Sequence, residues 1–254
     1  MQKNVMGLIQ DKARMENKQV LFVAVVGSHA YGLSNSTSDL DVKWIYVERD
    51  KRKYLSLKKS SDVLQQVCPP FEIEGWDIYK ASHLYLKSNP GMFEWLTTEN
   101  VLYDEGIGCF LRENMEKHFS LKALGYHYYQ MLVKNVKKLE ANEKLELKEI
   151  KICIQAIRCY VMLKNLLYHR EIIKSLQVPT LLESIPLDGE ALEQFKLTIN
   201  SKTQNSDFEK VPIRSIHAFL KRELNGFEEG LKQLPIGENA ASILDQEIWR
   251  ILQV

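Results

Sequence analysis

The sequence GSHAYGLSNSTSDLD, residues 27–41, lies between two apolar segments and indicates the fold of the first part of the chain. The segment before it, VLFVAVV at residues 20–26, is continuously apolar and is typical of a buried strand that ends at Gly27. The segment after it, LDVKWIYV at residues 40–47, predicts a second strand led by Asp39. The quoted stretch is therefore expected to connect two strands through a turn.

Two aspartates at the end of this stretch carry its chemistry. Alternate residues of a strand point to the same face, so Asp39 and Asp41 are expected to project together, roughly 6–7 Å apart at the backbone. Two unpaired carboxylates at that distance repel each other, and a divalent cation removes that cost. An all-oxygen ligand set favours Mg²⁺ or Mn²⁺. In the alternative interpretation, Asp39 caps the strand and Asp41 is solvated.

The Gly-Ser pair at the start of the stretch adds a second signal. Gly27 permits close approach of the backbone to a neighbouring group, and Gly32 permits an unusual turn. The Ser28 hydroxyl and the backbone N–H groups of such a turn can face an anion. Gly-Ser after a strand is weak evidence alone, but upstream of Asp39 and Asp41 it favours a site for a metal ion and phosphate.

The rest of the chain shows two sequence patterns, a mixed strand and helix pattern followed by a purely helical one. Apolar runs and turns predict strands at residues 61–67 and 71–79, and helices at about 4–17 and 80–88. After about residue 105 the apolar spacing is helical. The helices predicted there cover residues 107–118, 121–140, 147–169, 188–200, 212–224 and 240–252. The sequence thus predicts an α+β fold, with a core over residues 1–105 and a helical domain over residues 106–254.

Composition bounds the possible functions. The chain has 254 residues, of which 45% are hydrophobic and 26% are charged, so disorder or a fibre is excluded as the main state. The formal net charge of +1 implies no bulk electrostatic attraction to nucleic acid, although residues 49–59 form a local basic stretch. Four cysteines without a CxxC motif favour a reduced, cytoplasmic protein. We see no secretory signal or membrane span and expect no membrane partner.

The motif resembles a known superfamily. Gly27-Ser28 followed by Asp39-x-Asp41 with apolar flanks is similar to the signature of the DNA polymerase β-like nucleotidyltransferases. Residues 20–100, which include WDIYKASHLYLKSNPGMFEWL, resemble the predicted nucleotidyltransferases of the YcgL/RlaP type, some of which are associated with RNA repair. The resemblance extends more weakly to KICIQAIRCY at residues 151–160.

The resemblance implies roles for particular residues. In that superfamily two metal ions bridge the carboxylates and the nucleotide, so Asp39 and Asp41 would hold two Mg²⁺ or Mn²⁺ ions. Gly27 and Ser28 would contact the phosphates. The remaining nucleotide contacts are expected from four side chains: His29, Tyr31, Lys151 and Arg158.

A third metal-binding carboxylate is also implied. Glu72 and Glu74 lie on one face of the strand predicted at 71–79, and Asp77 lies on the other, so only one set can face the metal ions. Asp77 fits the family pattern between Trp76 and Ile78, and we take it as the third acid, with Glu74 as the second choice. The alternative role for Asp77 is that of N-cap for the helix that follows.

The predicted function is metal-dependent transfer of a nucleoside monophosphate from an NTP, such as ATP, to a hydroxyl group, with release of pyrophosphate. RNA is the first candidate acceptor, as in end modification during repair, and the basic stretch at 49–59 favours it. The alternatives are the same chemistry on a protein or small-molecule hydroxyl, and a non-catalytic nucleotide-binding regulatory module.

Overall fold

The computed structural model describes residues 2–57, 60–140 and 147–254, which form two compact units. The sheet unit comprises the described residues of Met1–Ala30, Ser38–Phe119 and Gly237–Val254. The helical unit comprises those of Tyr31–Thr37 and Ser120–Ile236. The domain boundary between residues 105 and 106 stays a prediction. By their contacts, residues 106–119 and 237–254 belong to the sheet unit.

The sheet unit is built on a mixed five-stranded sheet with the strand order β3-β4-β2-β1-β5. Neighbouring strands pair antiparallel except β2 and β4, which are parallel. In chain order its first elements are α1 Gln2–Met15, β1 Lys18–Val26, α2 Gly27–Ala30, β2 Leu40–Glu48, β3 Val63–Cys68, β4 Phe71–Asp77, α3 Ile78–Leu86, α4 Pro90–Thr97, β5 Val101–Asp104, α5 Ile107–Glu113 and α6 Met115–His118. The predicted α+β class is therefore confirmed at the level of a mixed sheet with many helices.

The core of the sheet unit follows from strand alternation. Val42 and Trp44 of β2 and Ile73 of β4 share one face of the sheet, and all three are buried. The apolar stripe of α1, including Val5 and Ile9, packs in the same cluster. On the opposite face of β2, Asp41 and Lys43 are half-buried and are followed by the buried Ile45 and Val47.

Helix caps place the elements after β4. Asp77 is the N-cap of α3, and Asn89 caps α4 with Pro90 in its first turn. Strand β5 was not predicted, because a four-residue strand gives too short an alternation to separate from a loop.

The helical unit consists of amphipathic helices. They are α7 Leu121–Glu140, α8 Leu147–His169, α9 Val178–Glu183, α10 Gly189–Gln204, α11 Ile213–Leu224 and α12 Phe227–Lys232. Helix α8 packs against both α7 and α10. Its middle turns, around Ile157 and Tyr160, are buried. Residues 31–37 of the signature belong to this unit, and the Val178 N–H donates to the Tyr31 carbonyl over 3.0 Å.

The chain ends in the sheet unit. Helix α13, Ala241–Leu252, contacts α3, and the Glu238 N–H donates to the Lys117 carbonyl over 3.0 Å. Across the described ranges of the chain, we find no helix that is both long and apolar enough to cross a membrane.

Candidate functional site

The end of β1 lies directly against a carboxylate of β2. Val26 pairs with Asp41 across the antiparallel strands, and Gly27 follows with φ of +66°. A Cβ atom on Gly27 would lie 1.9 Å from Asp41 Oδ2, which is far inside van der Waals contact. Only glycine both adopts this backbone angle readily and leaves room for the carboxylate. The structure therefore brings Gly27 and Asp41 into direct contact.

The pKa of the Asp41 carboxyl group reflects both its burial and the charges around it. Its carboxyl pKa is raised above the ordinary value by partial burial, lowered by Lys43, raised by Asp39 and lowered by His29. Asp39 is exposed and precedes the strand, while Asp41 is half-buried within it. The two aspartates are thus close enough to repel each other, and a cation that binds both relieves this repulsion.

His29 and Ser28 lie in the short turn of helix between the strands. Among the described residues, no group hydrogen-bonds the buried Nε2 atom of His29. Ser28 is half-buried in the same turn. The sheet unit therefore groups His29 electrostatically with the aspartate pair, and Ser28 adjoins both Gly27 and His29 in the chain.

The residues present fit a divalent cation in part. Asp39 and Asp41 offer oxygen ligands of the kind that Mg²⁺ and Mn²⁺ prefer. The absence of a Cβ on Gly27 lets the Asp41 carboxylate pack directly against the backbone at the end of β1. Within residues 2–57, 60–140 and 147–254, no cluster of three or more acidic, histidine or cysteine side chains has metal-binding geometry. A third carboxylate would therefore have to approach the pair.

The structure does not bring Asp77 to that pair. In the parallel register of β2 and β4, Asp41 lies opposite Glu72, whereas Asp77 lies opposite Tyr46. Asp77 is thus five residues further along the sheet, roughly 16 Å away, and on the other face. Its carboxylate accepts the Tyr79 N–H over 2.9 Å and the Tyr54 hydroxyl over 2.6 Å. The alternative prediction for Asp77, a helix N-cap, is confirmed.

Glu74, the second choice, shares the face of Asp41 but is already engaged. Its carboxylate accepts from Lys43 Nζ and from the Trp76 indole N–H, each over 2.9 Å. Burial raises the pKa of Glu74, but these two hydrogen bonds together with the charges of Lys43 and Lys80 leave the pKa lowered. The charge of Glu74 is therefore compensated within the sheet.

Glu72 is the acid that sequence reasoning passed over. It lies directly opposite Asp41 on the same face of the sheet and is exposed. Strand alternation alone places Glu72 and Glu74 together, and only the strand register distinguishes them. No local sequence signal separates Glu72 from Glu74, because the pairing of Leu40 with Phe71 that sets this register joins distant strands.

The helical unit holds the other predicted nucleotide contacts. The Arg158 guanidinium carbon lies 4.3 Å from the centre of the Tyr31 ring, and Arg158 is only 7% exposed. Lys151 is exposed two turns earlier on α8. The structure therefore brings Tyr31 and Arg158 together, with Lys151 on the same helix.

Most basic side chains of the stretch at 49–59 make hydrogen bonds within the sheet unit. Lys58 and Lys59 lie outside the described residues. The other four cations each have a partner: Arg49 donates to the Lys18 carbonyl, Lys51 to the Leu252 carbonyl, Arg52 to Asp50 and Lys53 to Glu48. Only Arg52 and Lys53 have carboxylate partners, so the charge of these two is compensated, whereas Arg49 and Lys51 donate to neutral carbonyl groups.

Comparison with known proteins shows the family of this chain. A family model described as "RlaP: RNA repair pathway DNA polymerase beta family" matches residues 1–248. The chain is also 25% identical over 233 residues to "Uncharacterized protein YcgL" of Bacillus subtilis (strain 168). That match covers 89% of this chain and 88% of the relative. With the family model matched over nearly the whole sequence, the chain belongs to the RlaP family, the DNA polymerase beta family of an RNA repair pathway.

Proposed function

We propose that the protein is a nucleotidyltransferase that moves a nucleoside monophosphate from an NTP, with ATP as the first donor to test, to a hydroxyl group and releases pyrophosphate. The observation that carries the proposal is the contact of Gly27 with the Asp41 carboxylate, beside a second aspartate. The family name supports the same class of reaction.

The acidic residues would hold the metal ions. Asp39 and Asp41 supply oxygen ligands, and Glu72, opposite Asp41, is our choice for the third carboxylate in place of Asp77. Bound Mg²⁺ or Mn²⁺, expected as two ions, supplies charge neutralisation for the attacking and leaving oxygens. The protein's own contribution is then to position the donor and acceptor.

The phosphate-binding residues are assigned by their place beside the acids. Gly27 contacts Asp41, Ser28 follows it in the same turn, and His29 acts electrostatically on Asp41. In the helical unit, Tyr31, Arg158 and Lys151 are proposed to contact the nucleotide. The polymerase β-type core of the sheet unit is part of the same proposal.

RNA is proposed as the acceptor because the family name refers to RNA repair. A cytoplasmic setting is proposed with it, and the four free cysteines fit a reducing compartment. The basic stretch at 49–59 supports RNA binding less than its composition suggests, since two of its described cations, Arg52 and Lys53, are ion-paired with carboxylates.

The test is transfer of label from each of four α-labelled NTPs to RNA ends, with Mg²⁺ or Mn²⁺. We expect metal-dependent labelling and pyrophosphate release with at least one NTP, and its loss in Asp39→Asn and Asp41→Asn. Asp11→Asn, an exposed acid of α1, is the matched control. Labelling of a protein or small hydroxyl compound instead of RNA would reassign the acceptor. Activity retained by Asp41→Asn would contradict the proposal.

A further inference from the structure

A cavity of about 620 Å³ lies in the sheet unit, beyond the carboxyl ends of β2 and β4. Its lining includes the last residue of each strand, Glu48 and Asp77, and part of α3. The two strands pair in parallel, and the crevice beyond the carboxyl ends of parallel strands is a frequent ligand site. The volume is typical of cavities that hold a small organic molecule. Because Asp77 is roughly 16 Å from Asp41 and on the other face of the sheet, this cavity is separate from the aspartate pair.

The buried end of the cavity holds a carboxylate with remaining hydrogen-bonding capacity. Asp77 is 6% exposed, and its two oxygens accept one hydrogen bond each, from the Tyr79 N–H over 2.9 Å and from the Tyr54 hydroxyl over 2.6 Å. A carboxylate offers about four acceptor positions, so a ligand can still donate to it. Burial raises the pKa of Asp77, which shows that its partners do not fully compensate its charge. Glu48, by contrast, pairs with two lysines.

Two tyrosine rings stand beside this carboxylate. The ring centres of Tyr54 and Tyr79 are 5.0 Å apart, and their planes are inclined by 52°. Both side chains line the cavity and are half-buried, so part of each ring is accessible to a ligand. Accessible aromatic rings are surfaces on which planar ring systems, such as nucleobases, stack.

One face of α3 supplies basic groups to the same cavity. Lys80, His83, Leu84 and Lys87 all line it, and their spacing of i, i+3, i+4 and i+7 places them on one side of the helix. The two lysines are about 10 Å apart along the helix axis. Lys80 forms only a long ion pair, 3.7 Å from Asp62, and Lys87 is exposed. This wall therefore favours an anionic group.

We propose that this cavity binds a nucleoside 5′-monophosphate, either as a free molecule or as the terminal nucleotide of a strand. The base stacks on Tyr79, the N–H or O–H groups of the ligand donate to Asp77, and the phosphate lies against Lys80 and Lys87. An aliphatic amine would satisfy Asp77 but would be repelled by the lysines. Phosphate alone would leave the carboxylate and the rings without a partner. The inference does not rest on the proposed function.

The experiment is calorimetric titration of the full chain with AMP, GMP, CMP and UMP in EDTA. We expect at least one of them to bind, and Tyr79→Leu to weaken its binding about tenfold, a usual effect of losing one stacked ring. Lys87→Ala should weaken it about threefold or more, because the lost contact is charged but exposed. Tyr103→Leu and Lys117→Ala are the matched controls, since they remove a ring and a charge from exposed positions of the sheet unit outside this cavity. Each control should change the affinity by less than about twofold.

Fragments and a longer ligand test the fit of the whole nucleotide. The nucleoside without phosphate and ribose 5-phosphate without a base should each bind at least about tenfold more weakly than the monophosphate. A 5′-phosphorylated oligoribonucleotide that binds at least as tightly as the monophosphate assigns the site to a strand end. One that binds more weakly assigns the site to a free nucleotide, and both results support the site.

The inference is overturned if no monophosphate binds, if either fragment binds equally well, if spermidine binds more tightly than the monophosphates, or if the controls weaken binding as much as Tyr79→Leu and Lys87→Ala. Unfolding midpoints show whether the variants are folded. If Tyr79→Leu does not fold, the exposed substitution Lys87→Ala still decides the outcome. The Asp39→Asn/Asp41→Asn protein should keep this binding, and its loss there would place the nucleotide at the aspartate pair and overturn the inference.

Discussion

At the scale of single residues, Gly27 decides whether Asp41 can occupy its position. Its φ of +66° is costly for other residues, and a Cβ would lie 1.9 Å from the Asp41 carboxylate. We expect Gly27→Ala to lower the free energy of unfolding by about 1–3 kcal/mol, from backbone strain and steric conflict. Urea unfolding measures this loss.

The same substitution should abolish nucleotide transfer, because Asp41 must move away. Gly7→Ala, on α1 where a Cβ meets no atom within 4 Å, is the control and should retain activity. A Gly27→Ala protein with normal stability and activity would show that the close contact does not matter.

The raised pKa of Asp41 predicts that ionisation of its carboxyl group lowers the stability of the folded protein as the pH rises. Its folded-state pKa is raised, mainly by burial, so the folded protein holds this proton more tightly than the unfolded chain does. The charged carboxylate therefore costs stability at neutral pH, and the cost disappears below its ordinary pKa of about 3.8. Without metal ions, Asp41→Asn should be more stable than wild type at pH 7, with no difference near pH 3.

Unfolding midpoints at several pH values in EDTA check this expectation. Asp11→Asn, an exposed acid paired with Arg14 at 3.6 Å, should change little at any pH. Asp41→Asn less stable than wild type at pH 7 would mean that the carboxylate already has a compensating partner.

At the scale of elements, the parallel pairing of β2 with β4 determines which acid faces the aspartates. The alternation along β4 is readable in the sequence, and it separates Glu72 and Glu74 from Asp77. Which of these acids meets Asp41 depends on a register between strands separated by more than twenty residues of chain, and no local pattern encodes that.

We expect Glu72→Gln to lower the rate of transfer at least about 100-fold, the upper end of the loss on removing even an indirect metal contact. Asp77→Asn should retain most activity, because asparagine also caps helices. Asp77→Ala should destabilise α3 by about 1 kcal/mol. Initial rates at saturating NTP and unfolding midpoints separate the two effects. Full activity in Glu72→Gln together with inactivity in Asp77→Asn would restore Asp77 as the third acid.

At the scale of the whole molecule, much of the architecture is local and could be predicted. The apolar run at 20–26 and the periodic segment at 121–140 became β1 and α7, because burial and helical spacing each leave a direct pattern. The packing of residues 237–254 in the sheet unit could not be predicted. An amphipathic pattern predicts which face of a helix is buried, but not the element against which that face packs.

Removal of residues 237–254 tests the importance of that packing. Leu244, Ile248 and Leu252 are each at most 5% exposed in the sheet unit. Burying one such side chain contributes about 1.5–3 kcal/mol, so the deletion should cost roughly 5 kcal/mol or more and lower the urea midpoint strongly. Trp249→Ala, at 52% exposure on the same helix, should cost far less. An unchanged midpoint after deletion would show that α13 is dispensable.

The most direct test of the account is thermal unfolding with each NTP, with and without Mg²⁺ or Mn²⁺, on wild type and on the Asp39→Asn/Asp41→Asn double variant. A ligand at 100 times its Kd adds about 2.7 kcal/mol, or a shift of roughly 5–10 °C for a chain of this size. The account predicts such a shift for at least one NTP, dependent on the metal ion and lost in the double variant. An equal shift without metal, or an undiminished shift in the double variant, would contradict it.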